Sequence, residues 1–254
     1  MSNAVRIFTH AFTMVFHDLG ATLRATYVGV SLVALSVVLF LTLAPNMFGS
    51  MMLATETDAF NPDAFGNAGA AVVAILVMAV GYIMMVAAWH RYVLLPEGQR
   101  DGGFTPGAGI VLGYFGRSLL LGIIVGIAAI PLFVPLGVIA SAGNDILTNL
   151  VAIPLFAILG WVLLRLSLIL PACTIGKDMK LTESWAASRP LSGAIIGLTI
   201  ILGVVDFVLN LVISALPAPY ILGVVSVITS VLFALVSASI LTTLYGIAVE
   251  GREV

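Results

Sequence analysis

The residues best placed to do chemistry are an aspartate and an asparagine four positions apart in a run of hydrocarbon side chains. Asp206 and Asn210 lie in VVDFVLNLVI at 204–213. On a helix, residues four apart share a face. A charge at the bilayer centre costs at least about 3 kcal/mol. Three arrangements answer that cost: the carboxyl keeps a proton, it pairs with a cation, or it faces a water-filled cavity. Arg165 is the nearest cation by depth, offset from Asp206 by about 10 Å at 1.5 Å per residue. Its side chain either reaches Asp206 or snorkels toward the nearer membrane face. Ser226, Ser230 and Ser237 recur along a later segment and supply hydroxyls on one face. Together these residues form either an interhelical polar clasp, worth about 1 kcal/mol, or an intramembrane ion, proton or substrate site.

Other reactive groups are few. WHRY at 89–92 is read as an interfacial anchor, with Trp89, His90 and Arg91 at lipid-headgroup depth. LTESWAASRP at 181–190 is a short amphipathic piece, with Thr182 as its cap and Trp185 and Arg189 as further headgroup anchors. His10, His17 and Asp18 are half of a metal site at most, and no HExxH pair accompanies them. One cysteine, Cys173, excludes an intramolecular disulfide and a cysteine zinc cluster. No GxSxG, Walker A or dinucleotide fingerprint occurs, and GGFTPGAG at 102–109 reads as a loop. No paired catalytic groups emerge, so no enzyme activity, cofactor or metal is expected.

Those groups must be positioned by membrane helices. Of 254 residues, 61% are hydrophobic and 9% charged, and mean hydropathy is +1.19. Soluble domains carry roughly 25% charged residues. Ten Lys and Arg spread along the chain, with a net charge of −2, make no nucleic-acid-binding face. A bilayer core needs about 20 apolar residues per helix. The segments 25–44, 69–95, 112–140, 149–173, 191–216 and 220–247 qualify. Pro131 and Pro135 either end the third span near Ile130 or kink it. All ten basic residues flank the loops on one side, whereas the loops at 45–68, near Asp145 and at 216–220 have none. The positive-inside rule then puts both termini in the cytoplasm.

Residues 1–24 form an amphipathic unit ahead of a membrane domain at 25–248 and a tail at 249–254. Val5, Phe8, Phe12, Val15, Phe16 and Leu19 recur at helical spacing. This helix either lies in the membrane interface or docks on the bundle. The N-terminus shows no signal-peptide core and is expected to be retained. Gly122 with Gly126, and Gly193 with Gly197, have the GxxxG spacing that brings helices close within a bundle or a dimer. RYVLLPEG and RLSLILPACTIG each run from Arg to Pro at the end of a span, from internal duplication or from stacking of similar hairpins.

The stretches WHRYVLLPEG at 89–98, LRLSLILPACTIG at 164–176 and SWAASRP at 184–190 resemble uncharacterised bacterial six-helix membrane proteins related to the membrane domain of glycerophosphoryl diester phosphodiesterases. The resemblance implies a bacterial inner-membrane protein without the soluble phosphodiesterase domain, and carries no catalytic residues. The expectation is therefore an all-α bundle of six transmembrane helices with an N-terminal interfacial helix. Its partners would be membrane lipids, a membrane protein or further copies of itself. Its role would be scaffolding, regulatory or related to envelope lipids, or alternatively that of a transporter or channel for a small solute, ion or lipid.

Overall fold

Where no water is available, a backbone must satisfy its own N–H and C=O groups, and a helix does so within one segment. A computed structural model describes residues 3–44, 67–96, 104–215 and 219–253, and among these there is no strand. The helices are α1 (Asn3–Phe16), α2 (Leu19–Leu43), α3 (Ala68–Leu94), α4 (Ala108–Ser141), α5 (Asp145–Leu166), α6 (Ile169–Thr174), α7 (Leu181–Ala187), α8 (Ser192–Ser214) and α9 (Pro219–Glu250). Six segments are long and apolar enough to cross a membrane, with α5 and α6 together forming one of them. The bundle is that of a multi-pass membrane protein. The acidic loop expected at 45–68 lies almost wholly outside the described residues, as does much of the turn at 216–220.

Local chemistry sets the breaks. Asp18 Oδ1 accepts the Ala21 amide at 2.8 Å and caps α2, so this carboxylate has a structural task beside His17. Gly143, at φ +71°, ends α4, and Asn144 Oδ1 then accepts the Leu147 amide at 3.0 Å to start α5. Pro131 and Pro135 do not stop α4, which continues through both to Ser141. Pro171 has the larger effect. Its ring excludes a helical partner for the Ser167 carbonyl, and the chain tightens there, with Leu170 N donating to Ser167 O at 2.9 Å. The short α6 results. Glu183 takes the Lys180 amide at 2.9 Å and opens α7, the role expected of Thr182.

α2 and α3 run antiparallel in backbone contact. A Cβ placed on Gly29 would lie 2.6 Å from Gly81 O, and one on Gly81 would lie 2.9 Å from Val33 N. The GxxxG pairs do not serve this purpose. A Cβ on Gly122, Gly126 or Gly193 would meet nothing within 4 Å among the described residues, and Gly197 faces Ala4 of α1. Close approach needs a small residue on both helices at the crossing, and Gly29 and Gly81 provide that pair between α2 and α3.

α1 packs against α8 and α9. Its buried face is Ala4, Ile7, Ala11 and Val15, a stripe of mostly smaller residues rotated from the expected phenylalanine face. Phe8, Phe12 and Phe16 stack along the adjoining side, and Phe12 remains exposed. Small side chains let α1 approach the bundle, while Phe8 and Phe16 flank the buried stripe half-buried and Phe12 is left facing outward.

The main core joins α1, the second half of α3, the first half of α4, α6, the start of α8 and the second half of α9, around Trp89, Leu168, Leu198, Leu244 and Tyr245. Every described Lys and Arg lies toward this end, where Arg91 bonds the Thr174 carbonyl, Arg117 meets Asp178 and Lys177 meets Glu250. At the opposite end, among the described residues, a small cluster of Phe40, Ala44, Ala71 and Ala74 ties α2 to α3.

Candidate functional site

The outer halves of α2, α3, α8 and α9, beyond the main core, do not close on one another. They enclose a cleft of about 380 Å³, within the size range of small-ligand sites. Val37, Phe40, Met78, Leu209, Ile213, Val227 and Phe233 form most of its wall, and its polar groups are Asp206, Asn210, Ser226, Thr229 and Ser230. Asp206 follows the start of α8 by fourteen residues, about 21 Å along the axis. It and Asn210 are both exposed.

Asn210 shares the cleft with Asp206 but does not clasp its carboxylate. Its Nδ2 donates to the Asp206 backbone carbonyl at 2.8 Å. Among the described residues the Asp206 carboxylate has no hydrogen-bond or ion-pair partner. Across the cleft, Ser230 donates to Val227 O at 3.0 Å. With its proton so directed, Ser230 Oγ accepts from Tyr82 Oη at 2.8 Å. Tyr82 was not singled out from the sequence. An aromatic hydroxyl in the middle of a span must find a polar partner, and that rule would have marked it. Ser237 falls two turns beyond Ser230, half-buried, and does not line the cleft.

Arg165 is not opposite Asp206. It is 4% exposed and turned toward α7. Its Nη2 donates to Trp185 O at 2.6 Å and its Nε to Ser188 Oγ at 3.1 Å. The guanidinium lies 3.6 Å from the Trp185 ring centre and 4.9 Å from that of Trp161. The Arg165 carbonyl in turn accepts Ser184 Oγ at 2.6 Å. Of the two directions open to a long cationic side chain, the one away from the membrane centre prevails, because α7 offers a carbonyl, a hydroxyl and a π face. Reaching Asp206 would have carried the charge deeper for a single partner.

Trp89 and His90 are likewise not headgroup anchors, since both are 0% exposed. The break at Pro171 folds α6 against the end of α3, and α9 covers the other side. His90 Nδ1 lies 2.6 Å from Thr242 Oγ1. Arg91 is half-buried, with Nη1 on Thr174 O at 2.9 Å, so it too ties elements together. Trp185, 37% exposed, is at the surface while serving Arg165, and Arg189 is exposed beside it. Thr242 carried no sequence signal beyond its hydroxyl, since the contact joins residues 152 apart.

Chemically, the cleft offers one carboxylate, hydroxyls and a large apolar wall. Among the described residues it has no second carboxylate for acid–base work, and no group of three His, Cys, Asp or Glu there could hold a metal. Comparison with protein-family models, with curated proteins and with solved structures gave no match, so the geometry of the cleft is what bears on function.

Proposed function

We propose that this chain is a multi-pass protein of a bacterial inner membrane, with both termini on the cytoplasmic side, that binds a small cationic amphiphile in the Asp206 cleft. It does so without catalysis of its own, in a role related to envelope lipids. The supporting observation is a carboxylate without a polar partner among the described residues, exposed in a cleft whose remaining wall is mostly apolar. A primary amine would meet Asp206, a hydrogen bond to a charged group being worth about 1.5–3 kcal/mol. The alkyl part would lie against Phe40, Met78 and Phe233. Ser226 and Thr229 add acceptors for the remaining ammonium protons.

The test is titration of n-octylamine and 1-octanol into the protein in lipid nanodiscs, followed by calorimetry. Octylamine should bind about tenfold more tightly than octanol, a difference of about 1.4 kcal/mol. Asp206→Asn should remove that difference. Equal binding of the two ligands to the natural chain, or an unchanged preference in the variant, defeats the proposal.

A further inference from the structure

A second cavity lies at the other end of the molecule. It occupies about 430 Å³ between α1, the start of α8 and the end of α9, and its wall includes Arg6, Arg252, Glu253, Ile7, Leu191 and Ile247. Its construction follows from the end of α9. Gly251 takes φ +69°, a conformation that favours glycine. The chain then turns back, and the Arg252 amide donates to Gly246 O at 2.9 Å. Arg252 is thereby folded over the last turn of α9 instead of running into solvent. Its Nε lies 2.8 Å from Glu250 Oε2, which orients the guanidinium. Lys177 Nζ approaches Glu250 Oε1 at 3.5 Å, so the Glu250 charge is shared between two cations. A guanidinium has five N–H donors, and an ion pair with Glu250 on the Nε side leaves those of the terminal nitrogens.

We infer that this cavity binds the headgroup of an aminophospholipid, with the phosphate between Arg6 and Arg252 and the primary ammonium on Glu253. Guanidinium groups suit phosphate through paired, charge-assisted hydrogen bonds. A site for a purely anionic headgroup would gain nothing from Glu253, which repels it. A headgroup carrying one phosphate and one ammonium uses all three charges. Ile7, Leu191 and Ile247 give the glycerol end and the first methylenes an apolar floor. The site lies at the end of the bundle rich in Lys and Arg, the end that the positive-inside rule places among cytoplasmic-leaflet headgroups. It is remote from the Asp206 cleft and stands without it.

Native mass spectrometry of the full chain in detergent tests the assignment, with dioleoylphosphatidylethanolamine, dioleoylphosphatidylglycerol and inorganic phosphate as probes. The natural chain should retain the ethanolamine lipid at least about fivefold more tightly than the glycerol lipid, given the added ion pair. Glu253→Gln should bring that ratio to about one while leaving the glycerol lipid bound. Arg6→Gln with Arg252→Gln should weaken both lipids about tenfold or more, and Arg6→Lys with Arg252→Lys should restore most of the binding, which separates a lost contact from a lost fold. Inorganic phosphate should compete weakly with the ethanolamine lipid. Equal retention of the two lipids, a preference that survives Glu253→Gln, or phosphate competing as well as the whole lipid overturns the inference.

Discussion

Arg165 gives the sharpest test of the architecture, because depth alone pairs it with Asp206 while the structure fastens it to α7. Consider Arg165→Met, which keeps much of the apolar stem and removes the charge. Two charge-assisted hydrogen bonds are lost, to Trp185 O and Ser188 Oγ, worth about 1.5 kcal/mol each. The contact with the Trp185 ring at 3.6 Å adds about 1 kcal/mol. Ordering a long side chain offsets about 1 kcal/mol of that sum. The net loss is about 3 kcal/mol, a factor of about 150 in the equilibrium between docked and undocked α7.

Hydrogen exchange of the full chain in nanodiscs reads this directly. Amides of Leu181–Ala187 should lose about 100-fold protection in Arg165→Met, and about tenfold in Arg165→Lys, which keeps the charge but not the planar fork. Exchange around Asp206 should be unchanged. The two sites should also be independent, so that Arg165→Met and Asp206→Asn add within about 0.5 kcal/mol in thermal unfolding. A change of less than threefold at α7, or a coupling above about 1 kcal/mol between Arg165 and Asp206, refutes the assignment.

Three further outcomes follow from the packing. Gly29→Leu should lower stability by at least about 3 kcal/mol in thermal unfolding, since its side chain meets α3 backbone, whereas Gly122→Leu should change it by no more than about 0.5 kcal/mol. Thr242→Val should cost about 1–3 kcal/mol, because His90 Nδ1 loses its 2.6 Å partner in a buried site; a neutral effect in the same unfolding assay would contradict that contact. In a Cys173→Ala background, Ser226→Cys, in the cleft, should react with a membrane-impermeant thiol reagent, while Leu241→Cys, in the core, should not; the reverse pattern would show that the cleft is closed to water.

The fold was legible because its signal is one-dimensional. Hydrophobic length alone marks six spans, and basic residues mark one end, so local sequence sufficed for both. Asp206, Asn210, Ser226 and Ser230 were legible as a group because helical spacing placed them at similar depth. What sequence did not disclose was rotation and direction. The α1 stripe that docks is Ala4, Ile7, Ala11 and Val15, and the more hydrophobic phenylalanine row lost that place because small residues permit closer packing. WHRY carries the composition of a headgroup anchor, but Pro171, some eighty positions later, creates the element that covers it. Arg165 had two partners within reach of its stem, and only the position of α7 decides between them.

The unequal ends of the bundle bear on how the Asp206 cleft would work. The basic end carries most of the buried side chains and the long-range polar ties, His90 to Thr242 and Arg91 to Thr174. Beyond it, α8 has only Ile195 and Leu198 buried, both in its first two turns, and Leu211 and Val212 are exposed. Segments with few buried contacts open at lower free energy than the core. A ligand seated between the outer halves of α8 and α9 would add contacts where the chain has fewest of its own. At a free concentration of about 100 times Kd it would stabilise the occupied form by about 2.7 kcal/mol. That gain should appear as slower hydrogen exchange in 203–214 of α8 and 224–233 of α9, with α3 and α6 unchanged. Octylamine that slows exchange uniformly along the chain would mean that it acts through the surrounding lipid instead of through the cleft.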